Sequence, residues 1–162
     1  MLTSEELIKR ITHIENELAL LKQDLLSKEP MKRGSDVAED SIIKDFENAI
    51  NEAIESGEYH IKHKGYANIS VGTLLGVYDM FTYSLIGQRA YDIYKAYATR
   101  IHHKPVHRQA LYNLLLTKGY LIKPSANETK RTKSLSIKRV AINKKQYLCL
   151  VIKKQSLNLK HN

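Results

Sequence analysis

The chain has 162 residues, 43% of them hydrophobic, which is enough for a core of one ordinary domain and excludes disorder throughout. Its net charge is +9, and its one cysteine, Cys149, excludes an internal disulfide and any cysteine-rich zinc site. No apolar run approaches the length of a membrane span, and the opening MLTSEELIKR lacks the apolar stretch of a secretory signal, so a cytoplasmic protein is expected.

Residues 3–29 are predicted as a helix. Thr3 and Glu6 have the spacing of a capping box. Leu7, Ile11, Ile14, Leu18, Leu21 and Leu25 then alternate at spacings of four and three, the a/d pattern of a coiled coil over about three heptads. Such a stripe can bury itself against a second copy, against a partner protein or against the body of its own chain. Ile8, Leu20 and Leu26 widen it toward the last of these. Residues 30–35, with Pro30 and Gly34, read as a linker. A domain is expected over 36–155, followed by a fraying tail at 156–162.

Within that domain a helix is predicted over 36–56. Its apolar face is Ile42, Phe46, Ala49, Ile50 and Ala53, with Gly57 at its C-terminal cap. Strands follow at 66–71, 74–78 and 81–86, the last two forming a hairpin about Asp79 and Met80. The third helix is expected over 88–101, with Ala90, Tyr94, Tyr97 and Ile101 on one face. The fourth runs from near His107 to before Gly119, with Ala110, Leu111, Leu114 and Leu115 inward and Gln109, Tyr112, Asn113 and Leu116 outward. Tyr120 to Ile122 can begin a strand, 123–134 is expected to be a polar loop, and 135–142 and 146–152 are strands about Asn143, Lys144 and Lys145.

Charge divides along this order. Residues 1–58 carry 7 Lys and Arg against 14 Asp and Glu, a net −7; the rest carries 19 against 3, a net +16. A region so depleted in carboxylates suits a polyanionic partner. No basic amphipathic helix with a strong apolar face stands out here, so nucleic acid is preferred to a membrane surface. Helix, Pro105-containing connection, helix and basic hairpin is the order of a winged helix-turn-helix. The expected fold class is therefore α+β: a winged helix-turn-helix domain preceded by an amphipathic, coiled-coil-like helix. In that geometry Lys104, Arg108, Gln109, Tyr112 and Asn113 are candidates on the second helix, Gln and Asn suiting adenine and Arg suiting guanine or phosphate. Lys130, Arg131, Lys133, Lys138, Arg139, Lys144 and Lys145 are candidates on and beside the wing, where they can neutralise phosphates, and Tyr147 can stack on a base.

Residues 75–152 carry further patterns. These are Leu75-Gly76-Val77-Tyr78-Asp79 with Phe81-Thr82-Tyr83-Ser84-Leu85, Arg89-Ala90-Tyr91, Pro105 to Leu111, Lys118-Gly119-Tyr120-Leu121, Ile137-Lys138-Arg139, and Asn143 to Leu148. In these the chain resembles the C-terminal winged-helix region of self-loading replicative helicases of phages, pathogenicity islands and staphylococcal cassette chromosomes. The family's wing is often richer in Arg and has Gly at the turn, where this chain has Asn-Lys-Lys. The resemblance implies a winged-helix protein of a mobile element, without the ATPase part, acting in replication or its control.

Enzymatic chemistry is not expected. No Gly-rich phosphate loop ending in Lys-Ser/Thr is present, and Asp79, Asp92 and Glu128 are too scattered for a paired-carboxylate site. His60, His63, His102, His103 and His107 lack a companion Cys or nearby carboxylate, so no metal or cofactor is implied. Three functions stay open: an accessory factor binding single-stranded or forked DNA in replication, a dimeric regulator of duplex DNA, and an adaptor that docks on a helicase or polymerase.

Overall fold

A computed structural model describes residues 3–27, 34–65 and 73–160, with the backbone alone for 23–27 and 34–36. The chain divides into two compact units, 1–37 and 38–162.

In the first unit, α1 spans Ser4–Ser27. The capping box forms as expected: Thr3 N–H donates to Glu6 Oε2 at 3.0 Å, and Glu6 N–H donates back to Thr3 Oγ1 at 3.4 Å. Leu7, Ile11, Ile14, Leu18 and Leu21 are 47–60% exposed, while the side chain of Leu25 lies outside the described residues.

The second unit is α+β. Helix α2 (Gly34–Glu55), which begins inside the predicted linker, supplies Phe46, Ala49, Ile50 and Ala53 to the core, together with Ile43 and Ile54. Gly57 closes it with φ of 75°, the left-handed conformation that glycine adopts without a steric penalty. Strands β1 (His60–His63), β2 (Leu74–Tyr78), β3 (Thr82–Ile86), β4 (Lys138–Ile142) and β5 (Lys145–Lys153) form one sheet in the order β1-β2-β3-β5-β4. β1 is parallel to β2; every other pairing is antiparallel. The strand predicted at 66–71 lies outside the described residues, and β1 precedes it.

The β2–β3 hairpin turns on Asp79, whose Oδ1 accepts from the N–H groups of Phe81 and Thr82 at 2.9 and 2.8 Å. From Ile86 the chain passes directly into α3 (Gly87–Arg100), then α4 (Arg108–Thr117). β3 pairs with β5 from Thr82 opposite Lys153 to Ile86 opposite Cys149. The last hairpin is thereby fastened to the strand that feeds α3. One face of the sheet and the helices enclose a core that includes Leu75, Leu85, Tyr94, Leu111, Leu115, Leu150 and Ile152. A smaller cluster of Leu74, Val77 and Ile142 is flanked by Val140 and Tyr147.

Two expectations about the polar stretches of this unit fail. The polar stretch 123–134 is not a loop throughout: it contains α5 (Ala126–Thr132), capped by Ser125 Oγ accepting from Glu128 N–H at 3.3 Å. The tail does not fray over 156–160. Leu157 and Leu159 are buried, Asn51 Nδ2 donates to the Asn158 carbonyl at 2.9 Å, and Lys160 N–H donates to Asn51 Oδ1 at 2.7 Å. Apolar residues at 157 and 159 take up positions against α2 and β3 that their polar neighbours mask in the sequence; the Tyr83 hydroxyl donates to the Leu159 carbonyl at 3.2 Å.

Candidate nucleic-acid interface

The connection between α3 and α4 is held by two tyrosines. The Tyr91 hydroxyl donates to the Val106 carbonyl and Val106 N–H donates to the Tyr94 hydroxyl, both at 3.2 Å. His102, at φ of 60°, turns the chain out of α3. His107 then caps α4, its Nδ1 accepting from Gln109 N–H at 3.3 Å. Burial pushes the Tyr94 hydroxyl above its ordinary value, with the bond from Val106 acting the other way. These interactions fix where the first turn of α4 points.

That turn presents Arg108, Gln109 and Asn113, all exposed, with Lys104 exposed on the connection. Gln109 Nε2 donates to Asn113 Oδ1 at 3.0 Å, and Arg108 donates to Gln88 Oε1 on α3. Two outward assignments are corrected. Tyr112 is 1% exposed and Leu116 is half-buried against the core, whereas Ala110, expected inward, is exposed. α4 therefore buries the face that carries Leu111, Tyr112 and Leu115, one position round from the face predicted. Because a large aromatic gains more from burial than alanine does, the helix turns Tyr112 inward and leaves Ala110 out.

The hairpin expected to be the wing is β4 and β5, joined through Asn143 and Lys144 at φ of 48° and 64°. Two consecutive left-handed residues make a type I′ turn, for which Asn is well suited and Lys is not. Lys144 and Lys145 are exposed at the tip. Lys130 and Arg131 are exposed on α5, Lys133 is exposed at its left-handed C-cap, and Lys138 is half-buried at the start of β4. Arg139 is held differently: its N–H donates to Glu128 Oε1 at 2.8 Å, and its guanidinium donates to the Arg131 carbonyl at 3.2 Å. It ties the wing to α5 and is not a free cation. Tyr147 is half-buried against the small Leu74–Val77–Ile142 cluster, so only part of its ring is available.

The acidic α2 spends its carboxylates inside the unit. Glu52 bridges to Arg100 at 2.6 Å, Asp45 to His103 Nδ1 at 2.7 Å, and Glu39 to Lys118 at 2.9 Å. Arg100 and Lys118, the cations of two of these pairs, lie at the C-terminal ends of α3 and α4. Lys104, Lys130, Lys133, Lys144 and Lys145 have no acidic partner among the described residues.

Between α4 and the wing lies a cleft of about 340 Å3. Arg108, Gln88 and Tyr112 line it from the helices, and Ile137, Gln146, Tyr147 and Leu148 line it from the wing side. Sequence reading missed Gln88, Ile137, Gln146 and Leu148, since nothing in their spacing joins them before β5 pairs with β3. The Tyr112 hydroxyl is buried with no hydrogen-bond partner among the described residues, and burial pushes its pKa up to about 12 against the opposing influence of Arg108. Cys149 is buried in β5, which likewise pushes its thiol up to about 12 and makes it a poor nucleophile.

The histidines are engaged separately. His60 Nδ1 lies 3.0 Å from Thr73 Oγ1, and His63 Nδ1 accepts from Gly65 N–H at 3.1 Å. Among the described residues no three His, Cys, Asp or Glu side chains gather as a metal site. Among the same residues no helix is long and apolar enough to cross a membrane. Compared with known proteins, the chain matches no family model, and no curated protein matches it significantly.

Proposed function

We propose that this chain is a DNA-binding accessory protein of mobile-element replication, a winged-helix protein that contacts single-stranded or forked DNA through its basic wing. The observation that carries the reading is the distribution of unpaired charge. Lys104, Lys130, Lys133, Lys144 and Lys145 have no acidic partner among the described residues, whereas Glu39, Glu52 and Glu55 of α2 are paired with Lys118, Arg100 and Lys160. The order of elements supports the architecture: strand β3, helices α3 and α4, the short α5, then a hairpin whose second strand returns to pair with β3, the order of a winged helix with one helix added before the wing. The family resemblance over 75–152 supports the setting in replication.

One observation favours a second reading, a dimeric regulator of duplex DNA. The α1 stripe is exposed along its described length, and its 3.5-residue period suits a second copy of the same helix. Two linked domains then gain from effective concentration on a two-site duplex.

A competition between labelled single-stranded and duplex oligonucleotides, at two salt concentrations with the full-length protein, tests both. Preference for the single strand or fork is expected. Preference for duplex, lost together with dimerisation in Ile14→Asp/Leu21→Asp, supports the second reading. Absence of binding to either at low salt refutes both.

A further inference from the structure

The cleft between α4 and the wing combines features that a phosphate-binding surface does not need. A surface that only neutralises phosphates is built from exposed cations. Here Leu148, 51% exposed, and the half-buried Ile137 contribute aliphatic surface, while the Tyr147 ring, on the other face of β5, packs on the Leu74–Val77–Ile142 cluster. The most deeply buried lining residue, Tyr112, holds a hydroxyl without a partner among the described residues. Buried polar groups are almost always satisfied, and leaving one unpaired costs stability. The volume of about 340 Å3 falls in the lower range of clefts that take small flat ligands.

Polar groups are placed around these walls. Arg108 is tethered to Gln88, and Gln88 Nε2 in turn donates to Asp92 Oδ1 at 2.8 Å, which fixes the guanidinium at the α4 side. Gln146, opposite Ala141 in the wing, offers an amide from the other side. Gly87 leaves room beside this group: a Cβ there would lie 3.0 Å from the Tyr112 hydroxyl oxygen.

We infer that this cleft is a binding site for one unpaired nucleobase of the DNA strand that the wing holds, packed against Leu148 and Ile137 and hydrogen-bonded at its edge by the Tyr112 hydroxyl, Gln146 and Arg108. The inference rests on the DNA-binding reading above and specifies it. A base held in a duplex cannot reach such a cleft without being unstacked, so the site selects strands whose bases are already free. It also explains the mixture on the wing, where charge follows the backbone and apolar surface meets one base.

The test compares two labelled strands of equal length, an oligothymidylate and a chain of abasic tetrahydrofuran sugars with the same phosphates. Fluorescence anisotropy with the full-length protein reads both affinities. The base-bearing strand is expected to bind about tenfold more tightly, a factor typical of one bound base. Tyr112→Phe, which keeps the buried ring, and Gln146→Ala, at an exposed position, are each expected to shrink that ratio. A conservative Tyr147→Phe is expected to keep it. Equal binding of the two strands by the wild type overturns the cleft and leaves the DNA-binding reading standing. A large ratio unchanged in both Tyr112→Phe and Gln146→Ala places the bases elsewhere and also overturns it. If neither strand binds at low salt, the DNA-binding reading fails, and the base site fails with it.

Discussion

Replacing Lys144 and Lys145 together by alanine is expected to flatten the salt dependence of DNA binding while leaving the fold intact. Both side chains are exposed at the tip of the wing, with no acidic partner among the described residues. Each phosphate that is no longer neutralised takes about 0.7 to 0.9 from the slope of log affinity against log salt, the lower value applying to single strands, so the double change should remove roughly 1.4 to 1.8. Between about 50 and 200 mM salt, that difference amounts to roughly a tenfold change in how far affinity falls. Arg139→Ala supplies the contrast. Its backbone and guanidinium are engaged by Glu128 and Arg131, so its removal should change the slope by less than a single phosphate does. Anisotropy titrations across a salt series measure all three proteins, with circular dichroism as the check on folding. A double variant with the wild-type slope refutes the assignment of the wing tip and moves phosphate binding toward Lys104, Arg108 and α5.

Asp79 controls the β2–β3 turn. Burial pushes its carboxyl up, but the N–H groups of Phe81 and Thr82, the Thr82 hydroxyl and Lys64 together hold it below the ordinary carboxylate range. Its contribution is therefore fully present above the ordinary carboxylate pKa and is lost as pH falls through the lowered value. Urea unfolding across acidic pH should show a decline that Asp79→Asn reduces; parallel pH profiles would refute it. Gly76→Ala should destabilise by about 2–3 kcal/mol, because its Cβ would collide with the Ser84 carbonyl and lie 2.9 Å from Leu85 Cα. A melting temperature within a degree or so of wild type would show that the hairpin can shift to accommodate it. Cys149 should resist a thiol reagent in the native protein at neutral pH and react on unfolding, because burial raises its pKa to about 12. Rapid native labelling would mean that β5 opens.

Periodic apolar stretches are legible in the sequence, and features made by single side chains or distant pairings are not. α3, β2 and the hairpin of β4 and β5 fall within a few residues of where their patterns put them, because each buries a repeated face. α5 does carry a local signal, since Ser125 and Glu128 have capping-box spacing, but the polar run between Pro124 and Lys133 hides a helix with no buried residue of its own. β1 has only four residues and a single buried one, Ile61, so its identity comes from pairing with β2 and not from its own sequence. The rotation of α4 is the consequential difference. Counting apolar letters puts Ala110 inside and Tyr112 outside; weighing side-chain size reverses both, and with Tyr112 inside, the cleft acquires its orphaned hydroxyl.

Local pairing likewise decides how the wing works. Arg139 read from sequence is one more cation in a basic hairpin, equal to Lys144 or Lys145. In the fold it is the residue through which Glu128, the only carboxylate in the sequence after Asp92, holds α5 against β4. A hairpin standing alone is marginally stable in water, and one bearing many like charges is less so. Fastening β5 to β3 on one side and β4 to α5 on the other gives the wing a rigid base, and its tip is left to carry uncompensated charge. The cation that holds the β4–β5 hairpin to α5 and the lysines left without an acidic partner at its tip are thus different residues, a division that charge counting along the sequence does not reveal.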